Sequence, residues 1–176
     1  MRLAPVPIRF LGTPQLAIEL CAEQSRSTHQ APECLMACRL LGEVLIRALQ
    51  GKSKDEVLAP SQQVINWSPG LKAISQGSYK LENVNEIIGS GYVVESLEAA
   101  LFCFWKTSNY RECVLLAANL GADADTTAAI VGQIAGAFHT ESGIPIEWLN
   151  QLTMRYEIGE LAEALTEKAQ KSKATL

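Results

Sequence analysis

The stretch Gly121-Ala122-Asp123-Ala124-Asp125-Thr126-Thr127 joins two helical patterns and carries two carboxylates and two hydroxyls. The helix before it is predicted to end at Gly121, because glycine is the usual residue just after a helix. The helix after it is predicted to begin near Asp125 and to run to Phe138, because aspartate is favoured at helix N-termini. This stretch is therefore interpreted as a turn between two helices, and it predicts helical structure on both sides.

Helical periodicity continues outward from this turn in both directions. Apolar residues recur at the three- and four-residue spacing of amphipathic helices, with charged residues on the opposite face. Helices are predicted at residues 33–50, after the capping box 53–56, at 92–105, from the cap Asn109 to Gly121, and from Pro145 onward.

The remaining segments give different signals. A final helix is predicted to place four apolar residues at core spacing, namely Ile158, Leu161, Ala162 and Leu165. Residues 168–176 carry net positive charge and are predicted to be a frayed tail. Residues 61–83, with one proline and two glycines, are predicted to be the one long irregular region. Within that region, Val64-Ile65-Asn66-Trp67 is the best candidate for a strand.

Length and composition agree with one globular unit. The 176 residues suffice for a single domain, 1–176, and 48% of them are apolar, which excludes a chain that is mainly disordered. No segment alternates cleanly between polar and apolar residues, as a half-buried strand does. The predicted fold class is therefore all-α, a compact helical bundle.

Charge, hydropathy and cysteines exclude several classes of protein. Fifteen Lys and Arg residues against nineteen Asp and Glu residues give a net charge of −4, so we expect no nucleic-acid partner. We expect no membrane partner either, because no apolar run is long enough to span a bilayer. Most of the five cysteines lie in apolar helical runs without a C-x-x-C pair, which is typical of a reducing, cytoplasmic compartment.

Two interpretations of Asp123 and Asp125 are open from the residues alone. Either aspartate is a good helix cap and complements the helix dipole, although this explains one of them better than both. Carboxylate and hydroxyl oxygens also suit a hard cation such as Mg²⁺, Mn²⁺ or Ca²⁺ rather than zinc. One short segment cannot fill the coordination shell of such a cation, so other ligands would have to come from elsewhere.

The same letters match the D-x-D-x-T pattern of phosphatases of the haloacid dehalogenase type, through Asp123, Asp125 and Thr127. In those enzymes the motif follows the first strand, near the N-terminus. Here it lies two-thirds of the way along the chain and between helices. We therefore reject a phosphatase of this type.

Four segments, in order along the chain, form a more specific pattern. The acidic stretch is followed by Ala128, Gly132 and Gly136 at four-residue spacing, and then by Gly143-Ile144-Pro145 and Trp148. The three earlier segments are Met1-Arg2-Leu3-Ala4-Pro5-Val6-Pro7, Ser25-Arg26-Ser27-Thr28-His29 with Ala31-Pro32-Glu33, and Gly89-Ser90-Gly91-Tyr92-Val93 with Leu97-Glu98-Ala99-Ala100. Together they resemble the ADP-ribosylglycohydrolase family, in its form similar to the dinitrogenase reductase-activating glycohydrolases, over about residues 1–150.

The resemblance implies an all-α orthogonal bundle that removes ADP-ribose from modified side chains or from related ADP-ribosyl compounds, with a two-Mg²⁺ centre. The matching metal ligands are Asp123, Asp125 and Thr126. Metal ions of this kind orient ribose hydroxyls and activate water. The positions implied on the substrate side, where ADP-ribose or an ADP-ribosylated substrate would bind, are Ser27, His29, Gly91 and Tyr92.

The resemblance covers only the C-terminal portion of the family pattern. The remaining metal ligands of the family lie in an N-terminal Thr-Asp-Asp-Thr segment, and Met1 would fall in the middle of a full-length relative. We therefore expect a partial domain that lacks the N-terminal helices and binds at most one Mg²⁺ or Ca²⁺ weakly, and no zinc. Its exposed apolar face would bind an N-terminal partner chain or a second copy.

Two functions stay open on this basis. The first is hydrolysis of the N- or O-glycosidic bond of ADP-ribose once the N-terminal half is supplied. The second is an inactive module that binds ADP-ribose-like ligands or a partner chain. The missing half of the metal site is the reason for keeping both, because a hydrolase built on two metal ions needs both halves.

Overall fold

The computed structural model describes residues 1–61 and 67–173, with side chains described as far as Ala169. In these residues the chain forms α-helices and no strand, which confirms the predicted all-α fold class. The helices are α1 (Pro5–Arg9), α2 (Pro14–Arg26), α3 (Pro32–Leu49), α4 (Lys54–Val57), α5 (Pro69–Ser75), α6 (Val93–Lys106), α7 (Tyr110–Ala118), α8 (Ala124–His139), α9 (Ile146–Gln151) and α10 (Arg155–Lys173). Short 3₁₀ turns lie at Ser78–Leu81 and Glu141–Gly143. The strand candidate falls mainly on residues 64–66, which lie outside the described residues.

Helices α3, α6 and α8 form the centre of the molecule. Apolar side chains occupy most of α6, where Phe102 is fully buried, and the middle of α8, where Val131 and Ile134 are fully buried. Glu43 and Arg47 form an ion pair of 2.7 Å on the outer side of α3, as their four-residue spacing predicts. The one-sided pattern of α3 therefore reflects its position between the core and the surface.

The helix boundaries follow local signals that the sequence carries. Ser53 and Glu56 form a complete capping box at the start of α4. Asn109 Oδ1 accepts a hydrogen bond of 2.9 Å from the backbone amide of Glu112 and caps α7. Gly51 and Gly121 have positive φ angles of 71° and 77° just beyond α3 and α7, as glycines that stop helices do. Each of these boundaries was predicted to within a few residues.

The region predicted to be irregular contains a helix instead. α5 begins at Pro69, which suits the first helical position, and it buries Leu71 and Ile74 against the core. The 3₁₀ turn that follows buries the Tyr79 ring, which is 2% exposed. The prediction was wrong for these residues because a seven-residue helix depends on the burial of a few apolar side chains rather than on a long periodic pattern.

The prediction that the last helix buries its apolar face was wrong for Ile158 and Leu161, whereas Ala162 and Leu165 are half-buried. Ile158 is 49% exposed and Leu161 is 67% exposed, whereas Ala169 near the end of the helix is 8% exposed. Arg9 in α1 donates a hydrogen bond of 3.2 Å to the Lys168 carbonyl, so α1 holds the second half of α10. The first half presents its apolar side chains to solvent. Fraying of residues 168–176 stays a prediction, because α10 includes residues up to Lys173 and residues 174–176 lie outside the described part.

The cysteines behave as buried apolar residues. Cys21, Cys103 and Cys113 are fully buried, and all five thiols of the chain are free. Burial raises the pKa of Cys21 and of Cys103 to about 12, and that of Cys113 to about 11. These thiols are therefore poor nucleophiles. None of the described helices has the length and apolar character that crossing a membrane requires.

Candidate functional site

The acidic turn lies where α7 ends and α8 begins. Gly121 and Ala122 both have positive φ angles, and Asp123 follows at the N-cap position of α8. The Asp123 side chain makes no capping hydrogen bond. Aspartate is favoured at the N-cap because its carboxylate accepts a hydrogen bond from an amide of the first turn. Asp123 makes no such bond, so capping alone does not account for it. Asp125 is exposed in the first turn of α8, and Thr126 beside it is half-buried.

Thr127 fixes this turn from inside. Its side chain is fully buried, and its hydroxyl donates a hydrogen bond of 3.2 Å to the carbonyl of Asp123. The backbone amide of Thr127 donates to the same carbonyl at 3.1 Å. Both bonds tie the first turn of α8 to the residue that carries the first carboxylate, so the backbone of Asp123 is held on its C-terminal side.

The loop before α6 lies directly against Asp123. The Gly89 carbonyl accepts a hydrogen bond of 2.7 Å from the Asp123 amide. A Cβ at Gly91 would lie 3.6 Å from Asp123 Oδ2, so the backbone at Gly91 packs beside the carboxylate. The structure therefore brings together two of the predicted positions, Gly91 and Asp123, which are more than thirty residues apart in the sequence.

Tyr92 is attached to the start of α3. Its phenol donates a hydrogen bond of 2.6 Å to Glu33 Oε2, while its ring remains 47% exposed. The bond to the Glu33 carboxylate raises the pKa of the Tyr92 phenol. The Tyr92 amide donates 3.0 Å to Ser90 Oγ, and that hydroxyl also contacts Glu95. Hydrogen bonds thus fix the loop both to α3 and to the first turn of α6.

Ser27 and His29 belong to a separate polar cluster at the end of α2. The guanidinium of Arg2 donates to Ser27 Oγ at 2.8 Å, and His29 Nδ1 lies 2.9 Å from Thr28 Oγ1. The described residues show no hydrogen bond between this cluster and the acidic turn. The cluster is exposed, which allows contact with a ligand but does not by itself indicate one.

The N-terminal segment connects that cluster to α8. The Ala4 amide donates 2.8 Å to Gln133 Oε1, and Gln133 Nε2 donates to the Met1 carbonyl. Gln133 lies about two turns beyond Asp125 on α8. Arg2 is therefore held on the same side of the molecule as one face of α8, although Arg2 was not predicted as a site residue.

Two glycines after the acidic turn, Gly132 and Gly136, pack against the side chain of Tyr110 rather than against the backbone of another helix. A Cβ at Gly132 would lie 3.7 Å from the Tyr110 hydroxyl, and one at Gly136 would lie 3.8 Å from the Tyr110 ring. The ring of Tyr110 meets that of Trp148 edge-on, with centroids 6.1 Å apart. This packing fixes α7 and α9 around α8 and thereby supports the turn between α7 and α8.

The donor set at the turn fits one hard divalent cation. The Asp123 carboxylate has no capping bond, Asp125 is exposed, and Thr126 adds a hydroxyl. Oxygen donors of this kind suit Mg²⁺ or Ca²⁺, with water completing the shell. Within residues 1–61 and 67–173, no three His, Cys, Asp or Glu side chains are placed to hold a metal ion. The set does not make a complete two-metal centre.

Sequence reasoning missed three residues that shape the site, namely Gly89, Thr127 and Glu33. Gly89 and Glu33 lie in segments that carry the family resemblance, and Thr127 is the second hydroxyl of the Thr126-Thr127 pair. The pair of glycines around Ser90 signals a close backbone approach. The partner of that approach is far away in sequence, so only the fold identifies it.

Comparison with known proteins assigns this helical chain to a family of glycohydrolases. The family model described as ADP-ribosylglycohydrolase matches residues 1–175. An ADP-ribosylarginine hydrolase, Tri1, of Serratia proteamaculans is 40% identical over 165 residues, which are 94% of this chain and 44% of that protein. An ADP-ribosyl-[dinitrogen reductase] glycohydrolase of Rhodospirillum rubrum is 27% identical over 157 residues, or 89% of this chain and 50% of that protein.

A solved structure agrees with these sequence relatives. A chain of an ADP-ribosylglycohydrolase-related protein complex superposes with a TM-score of 0.89 and 36% identity, over 96% of this chain and 59% of that one. The chain belongs to the ADP-ribosylglycohydrolase family, as its four segments predicted. It spans about half the length of the curated relatives that it matches.

Proposed function

We propose that this chain is the C-terminal portion of an ADP-ribosyl hydrolase that acts on the N-glycosidic bond of ADP-ribosylarginine, with Asp123, Asp125 and Thr126 holding Mg²⁺. The observation that carries the proposal is the contact between the acidic turn and the glycine loop, where the Asp123 amide donates to the Gly89 carbonyl at 2.7 Å. Within the described residues, the Asp123 carboxylate neither caps its helix nor forms an ion pair with a cationic side chain. It is therefore available to a ligand beside the backbone of Gly91. The arginine linkage is supported by the 40% identical relative, which is an ADP-ribosylarginine hydrolase.

In the proposed reaction, water forms a bond to the anomeric carbon of the ribose as the bond to the arginine nitrogen breaks. The departing guanidine takes up one proton, and the sugar retains the hydroxyl. A bound Mg²⁺ supplies orientation of the ribose hydroxyls and a lowered pKa of bound water. The ribose would bind beside the Asp123 carboxylate, where Gly91 adds no side chain, and the exposed Tyr92 follows Gly91 in the same loop. Arg2, with Ser27 and His29, offers donors for the phosphates of ADP-ribose.

The metal half of the proposal is tested by titrating Mg²⁺ while following thermal unfolding and heats of binding. We expect millimolar Mg²⁺ to raise the unfolding temperature of the wild type weakly, because the cation binds only the folded turn. Asp125→Asn should weaken Mg²⁺ binding by about tenfold or more. Because Asp125 is exposed, the same variant should change the free energy of unfolding without Mg²⁺ by less than about 0.5 kcal/mol.

Asp55→Asn is the matched control, since Asp55 is also an aspartate in the first turn of a helix. It should leave Mg²⁺ binding as in the wild type. A wild type that does not respond to Mg²⁺, together with a large loss of stability in Asp125→Asn, would show that the two aspartates only stabilise the helix. We expect no tight, closed Zn²⁺ site, because no cysteine or histidine is placed with the carboxylates in the described residues.

A second candidate function is a non-catalytic module that binds ADP-ribose-like ligands or a partner chain. It is favoured by the incomplete donor set, since no third acidic, cysteine or histidine side chain joins the two aspartates in the described part of the chain. Release of ADP-ribose from ADP-ribosylated arginine by this chain alone would exclude the module. Release only after co-expression with the N-terminal half of the Serratia relative would support the hydrolase and a partner chain. No release in either case would favour the module.

Five free thiols support a cytoplasmic location for either function.

A further inference from the structure

The loop before α6 packs most tightly against the acidic turn where Gly89 meets Thr127. A Cβ at Gly89 would lie 2.7 Å from Thr127 Oγ1 and 3.5 Å from Thr127 Cβ. The first of these distances is too short for real atoms, so only glycine fits at position 89 with Thr127 where it is. The Gly89 carbonyl accepts from the Asp123 amide in the same place.

We propose that Thr127 and Gly89 are positioning residues, which together set the distance between the Gly91–Tyr92 backbone and the Asp123 carboxylate. This inference rests on the proposed function, because it concerns how the same site is held for its ligand. Neither residue touches the ligand in this proposal. Thr127 acts through Gly89 and through the backbone of Asp123.

Thr127 is suited to this role because its hydroxyl cannot move away. It is fully buried, and it is held by its bond to the Asp123 carbonyl four residues earlier, a rotamer that threonine adopts in helices. The face that Thr127 presents to Gly89 is therefore rigid. A residue at position 89 that is larger than glycine has to move the loop instead.

The loop is anchored on both sides of Gly89, so such a movement is concentrated at the site. Ile87 is 7% exposed on one side, and the Tyr92 phenol is bonded to Glu33 on the other. Between these anchors lie only residues 88–91, including the glycine beside Asp123 Oδ2. A displacement at position 89 therefore changes the space beside the carboxylate before it changes the packing of the core.

The test uses Gly89→Ala, Thr127→Ala and the double variant in the full chain, with Thr127→Ser as the conservative change. The probes are ADP-ribose binding by calorimetry in millimolar Mg²⁺ and hydrogen exchange of the Asp123 amide. Gly89→Ala should weaken ADP-ribose binding by about threefold to tenfold, the equivalent of one net hydrogen bond, and should speed Asp123 exchange by a similar factor. Thr127→Ser should keep both values near those of the wild type.

The double variant separates positioning from general damage. Thr127→Ala removes the atom that the new Cβ meets, so adding it to Gly89→Ala should return both values to within about threefold of those of Thr127→Ala alone. If Gly89→Ala only damaged the core, the second truncation would weaken ADP-ribose binding and speed Asp123 exchange further. The inference is overturned if Gly89→Ala binds ADP-ribose and protects Asp123 as the wild type does, or if the double variant is no better than Gly89→Ala. A wild type that binds no ADP-ribose, either alone or together with the N-terminal half of the Serratia relative, contradicts the proposed function itself, which is a different result.

Discussion

His139, the last residue of α8, is a half-buried group whose charge depends on pH. Partial burial and the nearby ammonium of Lys54 in α4 lower the pKa of His139 from its ordinary value of 6.5. Lys54 itself is held in place by a hydrogen bond to the Thr107 carbonyl and by the Phe104 ring 5.0 Å away. The neutral imidazole is therefore the form that the fold favours, even though a cation would suit the C-terminal end of a helix.

The sign of the resulting pH dependence follows from linkage. Because the unfolded chain binds this proton more tightly than the folded chain, the free energy of unfolding falls as the pH drops below about 6.5. His139→Gln should remove part of that fall at pH values just below about 6.5, measured by urea unfolding. The lowered pKa values of Glu56 and Glu86 act near and below 4.5, outside this window.

His29→Gln is the control, because it leaves His139 in place. It should keep the pH dependence that His139 causes. An equal loss of stability on acidification in the wild type and in His139→Gln would contradict the prediction.

The packing of α2 on α3 depends on the absence of a side chain at Gly42. A Cβ at Gly42 would lie 2.7 Å from Cys21 Sγ and 3.2 Å from Cys21 Cβ, and Cys21 is fully buried. Gly42→Ala gains about 1 kcal/mol from helix propensity. Overpacking a core costs about 1–3 kcal/mol, so we expect a net loss of stability of up to about 2 kcal/mol in chemical unfolding.

Gly132→Ala in α8 is the matched comparison, with the opposite expected sign. A Cβ there would lie 3.7 Å from the Tyr110 hydroxyl, an ordinary contact, so the substitution should stabilise the protein by about 0.5–1 kcal/mol. Adding Cys21→Ala to Gly42→Ala should recover part of the loss, because it removes the sulfur. If Gly42→Ala and Gly132→Ala changed the free energy of unfolding in the same direction, this account of the helix contact would be contradicted.

Helices such as α3, α6 and α8 could be predicted because their periodicity and caps are local. α5 could not, since its seven residues form a helix only when Leu71 and Ile74 reach the core. At the site, the sequence identified Asp123 and Gly91 separately. Their contact depends on the backbone hydrogen bond that the Asp123 amide donates to the Gly89 carbonyl, and no local pattern records such a bond.

The exposed face of α10 was beyond prediction for a related reason. The spacing of Ile158, Leu161, Ala162 and Leu165 does indicate an apolar helix face. It cannot indicate which element, if any, packs against that face. In the structure Arg9 of α1 donates a hydrogen bond to the Lys168 carbonyl near the end of α10, and Leu161 remains 67% exposed.

At the scale of the whole molecule, Met154 just before α10 and Ile158 and Leu161 in its first half form an apolar surface. These residues are 62%, 49% and 67% exposed. Exposed apolar surface of this kind marks an interface. The curated relatives are about twice as long as this chain, and we expect a further part of the family fold, where it is present, to cover such a surface. When that part is absent, we expect two copies of this chain to bury the surface against each other.

Sedimentation at several protein concentrations measures this association. The wild type should form a concentration-dependent dimer, and the double variant Ile158→Gln/Leu161→Gln should shift it towards the monomer. Because both side chains are exposed, each substitution should change the free energy of unfolding of the monomer by less than about 0.5 kcal/mol. Leu81→Gln is the control for apolar exposure in general, since Leu81 is 88% exposed but lies in the 3₁₀ turn before α6, and it should leave the dimer unchanged. Covering Ile158 and Leu161 should be favourable whichever chain covers them, because the hydrophobic effect is not directional. A wild type that stays monomeric at every concentration would therefore contradict self-association.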